Sequence, residues 1–262
     1  MEILLIRKIK KKIMNEKLMN FDKIVKNKGV SENIYYADTK EHREGIKKIL
    51  SKLTDDNPQN IILDAGCGIC NFIIPLSANS KFIYGIDTSA ESIKICKRRL
   101  KENNISNVDL EISSIIDLKF ENNTMDKILC YSVFQYLNYD ETIQTIKEFK
   151  RVLKNDGLLI LGFLNGSSPY IVSARILMFI KKLIIGGRDK RPNNLKFKEL
   201  KKIINAENGN IEIIHSSYFY PDIFPNKIAN WIGKRFYYEK YFPKFIQKFG
   251  FSLILVIKFS DK

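Results

Sequence analysis

The chain has 262 residues, 45% of them hydrophobic and 28% charged, a balance that excludes a disordered polymer and is long enough to bury a sizeable core. Its 44 Lys and Arg against 29 Asp and Glu leave 44 − 29 = +15. That surplus either covers solvated faces of a Lys-rich protein or serves an anionic partner, such as a membrane surface, a phosphorylated substrate or nucleic acid.

Taken in chain order, Ile3 to Ile6 are followed by Arg7, Lys8 and Lys10 to Lys12, the reverse of a secretory signal, so no export signal is evident. Apolar residues then recur at helical spacing (Ile9, Ile13; Leu18, Phe21, Ile24, Val25; Ile46, Ile49, Leu50, Leu53) up to Asp55-Asp56-Asn57-Pro58, which predicts helices ahead of a sheet. At Ile61-Ile62-Leu63 the period changes to a short apolar run that ends in a glycine-rich turn, as a buried parallel strand feeding a helix does. Lys81 to Ile86, Val108 to Ile112, Lys127 to Tyr131 and Leu158 to Leu164 repeat the strand pattern. Ser89 to Leu100 and Tyr139 to Leu153 read as intervening helices, the second stopping at Asn155-Asp156-Gly157. Glu199 to Ala206 reads as a helix, while Ile211 to Ser217 and Ser252 to Phe259 read as two further strands that suit an antiparallel pair. The alternation predicts a doubly wound α/β fold with a mostly parallel seven-stranded sheet, an antiparallel C-terminal strand, and a ligand site at the carboxyl ends of the strands.

Four cysteines, Cys67, Cys70, Cys96 and Cys130, lack the spacing of a disulfide scaffold and read as reduced intracellular thiols. Cys67 and Cys70 form a C-x-x-C, but no second pair or His cluster completes a four-ligand site, so no metal is expected. The longest apolar stretch, Tyr170 to Ile185, is interrupted by Arg175, Lys181 and Lys182 and is shorter than the ~20 residues of a spanning helix.

The chemistry-bearing segment is Asp64-Ala65-Gly66-Cys67-Gly68, where two glycines at a strand-to-helix turn let backbone approach a ligand. Asp87 follows 23 residues after Asp64, at the end of the next apolar strand, where a carboxylate can accept both hydrogen bonds of a ribose diol. With Tyr84-Gly85-Ile86-Asp87-Thr88-Ser89, these residues resemble the first two motifs of the class I S-adenosylmethionine (SAM) dependent methyltransferases. Asn123 to Leu137 resembles the family's fourth strand and following loop, and Phe149 to Ile160 its next helix, turn and strand. The resemblance covers roughly residues 40 to 165.

It implies a Rossmann-like methyltransferase fold and SAM as cofactor. Gly66, Cys67 and Gly68 would lie against the cofactor, Asp64 near its amino-acid moiety, Asp87 on the ribose hydroxyls and Thr88 beside the adenine. Where the family commonly has an acidic residue for the adenine amino group, the register gives Ser114, whose hydroxyl can still accept a hydrogen bond. Cys70 replaces the family's usual third glycine. Tyr131 and Gln135 are placed to contact cofactor and substrate, and Arg43 is either the partner of the cofactor carboxylate or a solvated helix residue. Neither His42 nor His215 marks a catalytic base, and no Asn-Pro-Pro-Tyr-like motif follows the fourth strand, which disfavours amino-methylation of bases or glutamine amides. A nicotinamide dehydrogenase is disfavoured because the third glycine of G-x-G-x-x-G falls at Asn71.

The expected organisation is an N-terminal helical extension (1–58), a SAM-binding core (59–165), an apolar insert or lid (166–195) and a C-terminal part of the core with an aromatic and basic cap (196–262). The insert reads as a buried lid helix or an interfacial helix. The aromatics and lysines of Tyr218 to Phe251 read as an active-site cap, a membrane-surface anchor or, less readily, a nucleic-acid platform. The expected function is methyl transfer to a small-molecule or lipid-linked acceptor, first at oxygen with carbon and nitrogen open, in the cytoplasm or peripheral to a membrane. The alternative is a non-catalytic SAM-binding or scaffolding protein on the same fold.

Overall fold

The computed structural model describes residues 40–54, 57–169, 171–172, 176, 195–217 and 247–260, with backbone alone for 40–45. Helix α1 (Lys40–Leu53) precedes β1 (Ile61–Ala65), and the short α2 (Ile73–Leu76) leads to β2 (Phe82–Asp87). Helix α3 (Ala90–Glu102), β3 (Val108–Ile112), β4 (Met125–Tyr131), α4 (Tyr139–Val152), β5 (Leu153–Leu164), α5 (Phe197–Ala206), β6 (Gly209–Ser217) and β7 (Ser252–Phe259) follow. The predicted strands and helices are present, with ends displaced by a few residues; β5, for instance, starts at Leu153 because that residue already pairs with Met125.

The seven strands lie in the order β3-β2-β1-β4-β5-β7-β6. Strands β1 to β5 pair in parallel, and β7 runs antiparallel to both β5 and β6. This is the doubly wound, mostly parallel sheet that the alternation predicts, in the Rossmann-like arrangement that the family resemblance implies. Strand order reverses between β1 and β4, and the crevice outside their carboxyl ends is where this class of sheet binds ligands.

Two apolar layers cover the sheet, which is why β1 is apolar on both faces. One face packs against α4 and α5 through Ile146, Phe149, Leu200, Ile203 and Ile204. The other packs against α1, α2 and α3 through Ile49, Leu53, Ile73, Ile93 and Leu100. Burial of each such side chain contributes about 1.5–3 kcal/mol. Local signals fix where the helices begin: Ser89 Oγ accepts from Ser92 N (3.1 Å) to open α3, and Asn138 and Glu141 form a reciprocal capping box on α4.

The cysteines depart from the expectation of four free thiols. Cys70 and Cys96 are joined as a disulfide across 26 residues, with a Cα–Cα separation of 5.3 Å, while Cys67 and Cys130 are free and buried. The reason is tertiary, since Cys96 lies on the buried face of α3 that packs on the turn after β1. Among the described residues no helix is long and apolar enough to cross a membrane. The predicted helices before residue 40, most of the apolar insert and the aromatic and basic stretch from 218 to 246 lie outside the described residues.

Candidate functional site at the carboxyl ends of β1, β2 and β4

Strand β1 delivers Asp64 near its carboxyl end, buried at 2% exposure. The chain then reverses through Gly66 and Gly68, whose φ angles of +86° and +52° lie in the left-handed region that favours glycine. Gly66 and Cys67 both donate their amides to the Ile86 carbonyl (2.8 and 3.0 Å), which ties the turn to β2. A Cβ on Gly66 would lie 2.3 Å from Val133 Cγ2, so the loop after β4 closes directly over the turn. On Gly68 a Cβ would meet nothing within 4 Å.

Asp87, at the end of β2, joins the turn to the next helix. One carboxylate oxygen accepts from Gly68 N (2.9 Å) and the other from Ser89 N (2.8 Å), the cap of α3. The two acidic residues therefore have different surroundings. Burial, and then the negative charge of Asp87, push the Asp64 carboxyl up to about 8, and its Oδ2 has no hydrogen-bond partner. The same burial, reinforced by Asp64 and Asp87, raises the Cys67 thiol, and burial with Asp64 raises Cys130.

The third wall is the end of β4. The Tyr131 ring packs against Gly162 of β5, where a Cβ would come 2.1 Å from the ring, and its ring centroid is 5.4 Å from that of Phe72. Its hydroxyl interacts with the Ser252 side chain, and burial pushes its pKa up to about 12. Ser132 follows with φ +59°. Of the five non-glycine residues with positive φ among those described, three are Asn, which tolerates this conformation; the other two, Cys70 and Ser132, both flank this site. The Gln135 Oε1 atom is buried without a hydrogen-bond partner.

The fold thus gathers Asp64, Gly66, Cys67, Gly68, Asp87 and Thr88 around one turn, with Thr88 exposed. The Cys67 thiol faces the interior, 3.3 Å from where a Cβ on Gly85 would stand, so this residue offers its backbone to the crevice. Ser114 follows β3 just beyond Ser113, whose amide donates to the Asp87 carbonyl (3.1 Å), and the Ser114 hydroxyl accepts from Ile116 N (3.3 Å). Arg43 is in α1, with its side chain outside the described residues. His215 is buried in β6, paired with Ile254 of β7. Three contributors escaped the sequence reading. Val133 and Ser252 carried no local signal, whereas Gly162 inside an apolar strand was a visible mark of close approach.

Comparison with known proteins bears on the domain and the fold. Residues 62–157 match the methyltransferase domain family model. An uncharacterized protein of Methanocaldococcus jannaschii is 32% identical over 120 residues, 46% of this chain and 48% of that protein. The demethylmenaquinone methyltransferase of Bacillus mycoides is 26% identical over 132 residues, 49% of this chain and 54% of the relative. The chain therefore spans about half the length of the relatives it matches. Among solved structures, magnesium protoporphyrin IX methyltransferase from Synechocystis, crystallised with bound S-adenosylhomocysteine (SAH), superposes with a TM-score of 0.60 at 19% identity over 92% of this chain and 94% of that one. Residues 62–157 are thus similar to a methyltransferase domain, and the described fold is similar to that of a SAH-binding methyltransferase.

Proposed function

We propose that this protein transfers the methyl group of SAM to a small-molecule or lipid-linked acceptor, with an oxygen as the first candidate for the accepting atom. The observation that carries this reading is the pair Asp64 and Asp87 around the Gly66 to Gly68 turn, at the point where strand order reverses.

The residues present fit SAM. The partnerless Oδ2 of Asp64 is a buried acceptor suited to the ammonium of an amino acid. Asp87, held by two backbone amides at the end of β2, stands where a carboxylate can accept from a ribose diol. The open space beside Gly68 leaves room for a ligand to meet backbone. When bound, SAM supplies an electrophilic methyl on a sulfonium, so the protein's task is alignment and exclusion of water more than acid–base work. Val133 and the Tyr131 ring would form the apolar side of that crevice, with Gln135 presenting an acceptor to the substrate.

An apolar or lipid-linked acceptor is supported by the exposed Val172 and Ile176 (44% and 56%) directly after the core, and by the resemblance to a relative named as a demethylmenaquinone methyltransferase. The domain boundaries at 59–165 and 166–195 belong to the same reading. So does the set Arg43, Thr88 and Ser114 as further cofactor contacts.

The test is calorimetric titration of the wild type and an Asp87→Ala variant with SAM and SAH. Micromolar binding by the wild type and at least a 50-fold loss in the variant are expected; equal affinity of the two would remove the assigned site.

A further inference from the structure

Outside the ligand-facing side of the turn stands a cluster that methyl transfer does not use. The sulfurs of Cys67, Cys70 and Cys96 all lie within 4.8 Å of one another and are buried. Cys70 and Cys96 are completely enclosed and Cys67 is 7% exposed. Cys70 holds a left-handed φ of +67°, a conformation disfavoured for any residue with a Cβ. The same strip of α3 is bound to the turn a second time: Arg99, one turn beyond Cys96, donates to the Ile69 carbonyl and to Asn71 Oδ1 (2.8 Å). Residues 69 to 71 are thus clamped to α3, while Gly66 to Gly68, immediately before them, face the cofactor crevice.

We propose that Cys67, Cys70 and Cys96 form a thiol–disulfide site whose Cys70–Cys96 bond locks the cofactor turn against α3, so that oxidation and reduction set cofactor affinity. The affinity readout rests on the SAM reading above; the clamp itself does not.

The chemistry balances with a small disulfide as oxidant. Cys67, the least enclosed of the three, attacks it and releases one equivalent of small thiol. Cys96 then displaces the second small thiol from Cys67, and Cys70 attacks Cys96 and frees Cys67 again. The net change is two protein thiols and one small disulfide converted to one protein disulfide and two small thiols, a two-electron exchange through mixed disulfides. A soft metal on the same three sulfurs is the competing occupant. Three buried thiolates would bring three negative charges beside Asp64 and Asp87, and no fourth ligand completes the group among the described residues. A disulfide is uncharged, and burial favours it.

The test uses the full chain prepared without reductant and oxidised with a small disulfide. Thiols titrated in denaturant should number two, rising to four after reduction, with peptide mapping placing the bond among Cys67, Cys70 and Cys96. Reduction should lower the thermal midpoint by ~5–10 °C, speed amide hydrogen exchange of Gly66 to Asn71, and weaken SAH binding at least fivefold by releasing a preorganised turn. Cys96→Ala should behave as the reduced protein under both conditions, and Cys70→Gly, whose glycine suits the φ angle, serves the same purpose if the first variant folds poorly. Four titratable thiols after oxidation, stoichiometric metal protecting the thiols, or exchange rates unchanged by reduction would each overturn the proposal. If SAH binds neither form, the cofactor reading fails while exchange rates and melting still decide the clamp.

Discussion

Asp64 is a carboxyl group held uncharged at neutral pH by its surroundings. Its pKa of about 8 against an ordinary 3.8 means that, between those values, the folded protein keeps a proton that the unfolded chain has lost. The sign follows directly: the free protein loses stability as pH rises from about 4 to about 8, by an amount on the order of several kcal/mol, and regains it as pH falls. Asp64→Asn should flatten that slope in thermal melts between pH 5 and 8 and raise the midpoint most at the alkaline end; a parallel profile for wild type and variant would contradict it. A cation placed on Asp64 reverses the balance and favours the carboxylate. Cofactor binding at pH 7 should therefore release a proton and tighten as pH approaches 8. Calorimetry in two buffers of different ionisation enthalpy reads this, and identical heats would sink the idea. The position of Asp64 at the turn was legible from its place at the end of an apolar strand before two glycines, and its proposed role came from the family resemblance. Its charge state was not legible, because that depends on burial by residues far along the chain.

Arg151 shows what an element boundary can require. Near the C-terminus of α4 its guanidinium donates to the Leu118 and Phe120 carbonyls (2.8 and 2.7 Å) and to Asn122 Oδ1 (3.0 Å). It also makes a two-point contact with Glu148 one turn earlier (2.7 and 3.0 Å). One side chain thus fastens the β3–β4 connection to the helix. The Arg151 hydrogen bond holds the Glu148 carboxyl below its usual range, so this contribution is present above pH ~4.5 and fades as pH falls through the lowered pKa. Arg151→Ala should cost about 2 kcal/mol in denaturant unfolding at pH 7, with Lys recovering little because it cannot reproduce the fork; a loss below about 0.5 kcal/mol would show the network to be ornamental. The elements themselves were legible, since short apolar runs and helical spacing mark β1, β2, β4 and α3 without outside help. Nothing in the spacing marks the role of Arg151, because its carbonyl partners stand 31 and 33 residues upstream. The Cys70–Cys96 contact was hidden for the same reason.

For the molecule as a whole, periodicity revealed a mostly parallel sheet with a reversed strand, but the place of that strand comes from tertiary packing: β7 inserts between β5 and β6. The net charge of +15 and the apolar, Lys-edged stretch from 170 to 185 make an anionic surface a concrete partner to test. Ile180→Glu should reduce co-sedimentation with anionic liposomes several-fold, and equal sedimentation of the two proteins would discard the interfacial reading. The position of β7 also carries a consequence for synthesis. A ribosome extends the chain from its N-terminus, so β1 to β5 can pair as they emerge, while the edge of β5 waits uncovered until residues 252–259 appear. Strand β6, made earlier, has no sheet to join until then, since every ladder bond it forms is to β7. A stop codon after Gly250 would therefore remove two strands from the sheet while deleting only one, and leave an apolar β5 edge open to neighbouring chains. Such a truncated product should partition into the insoluble fraction of expressing cells, and its recovery as a soluble, cooperatively melting monomer would mean that the core closes without its penultimate strand.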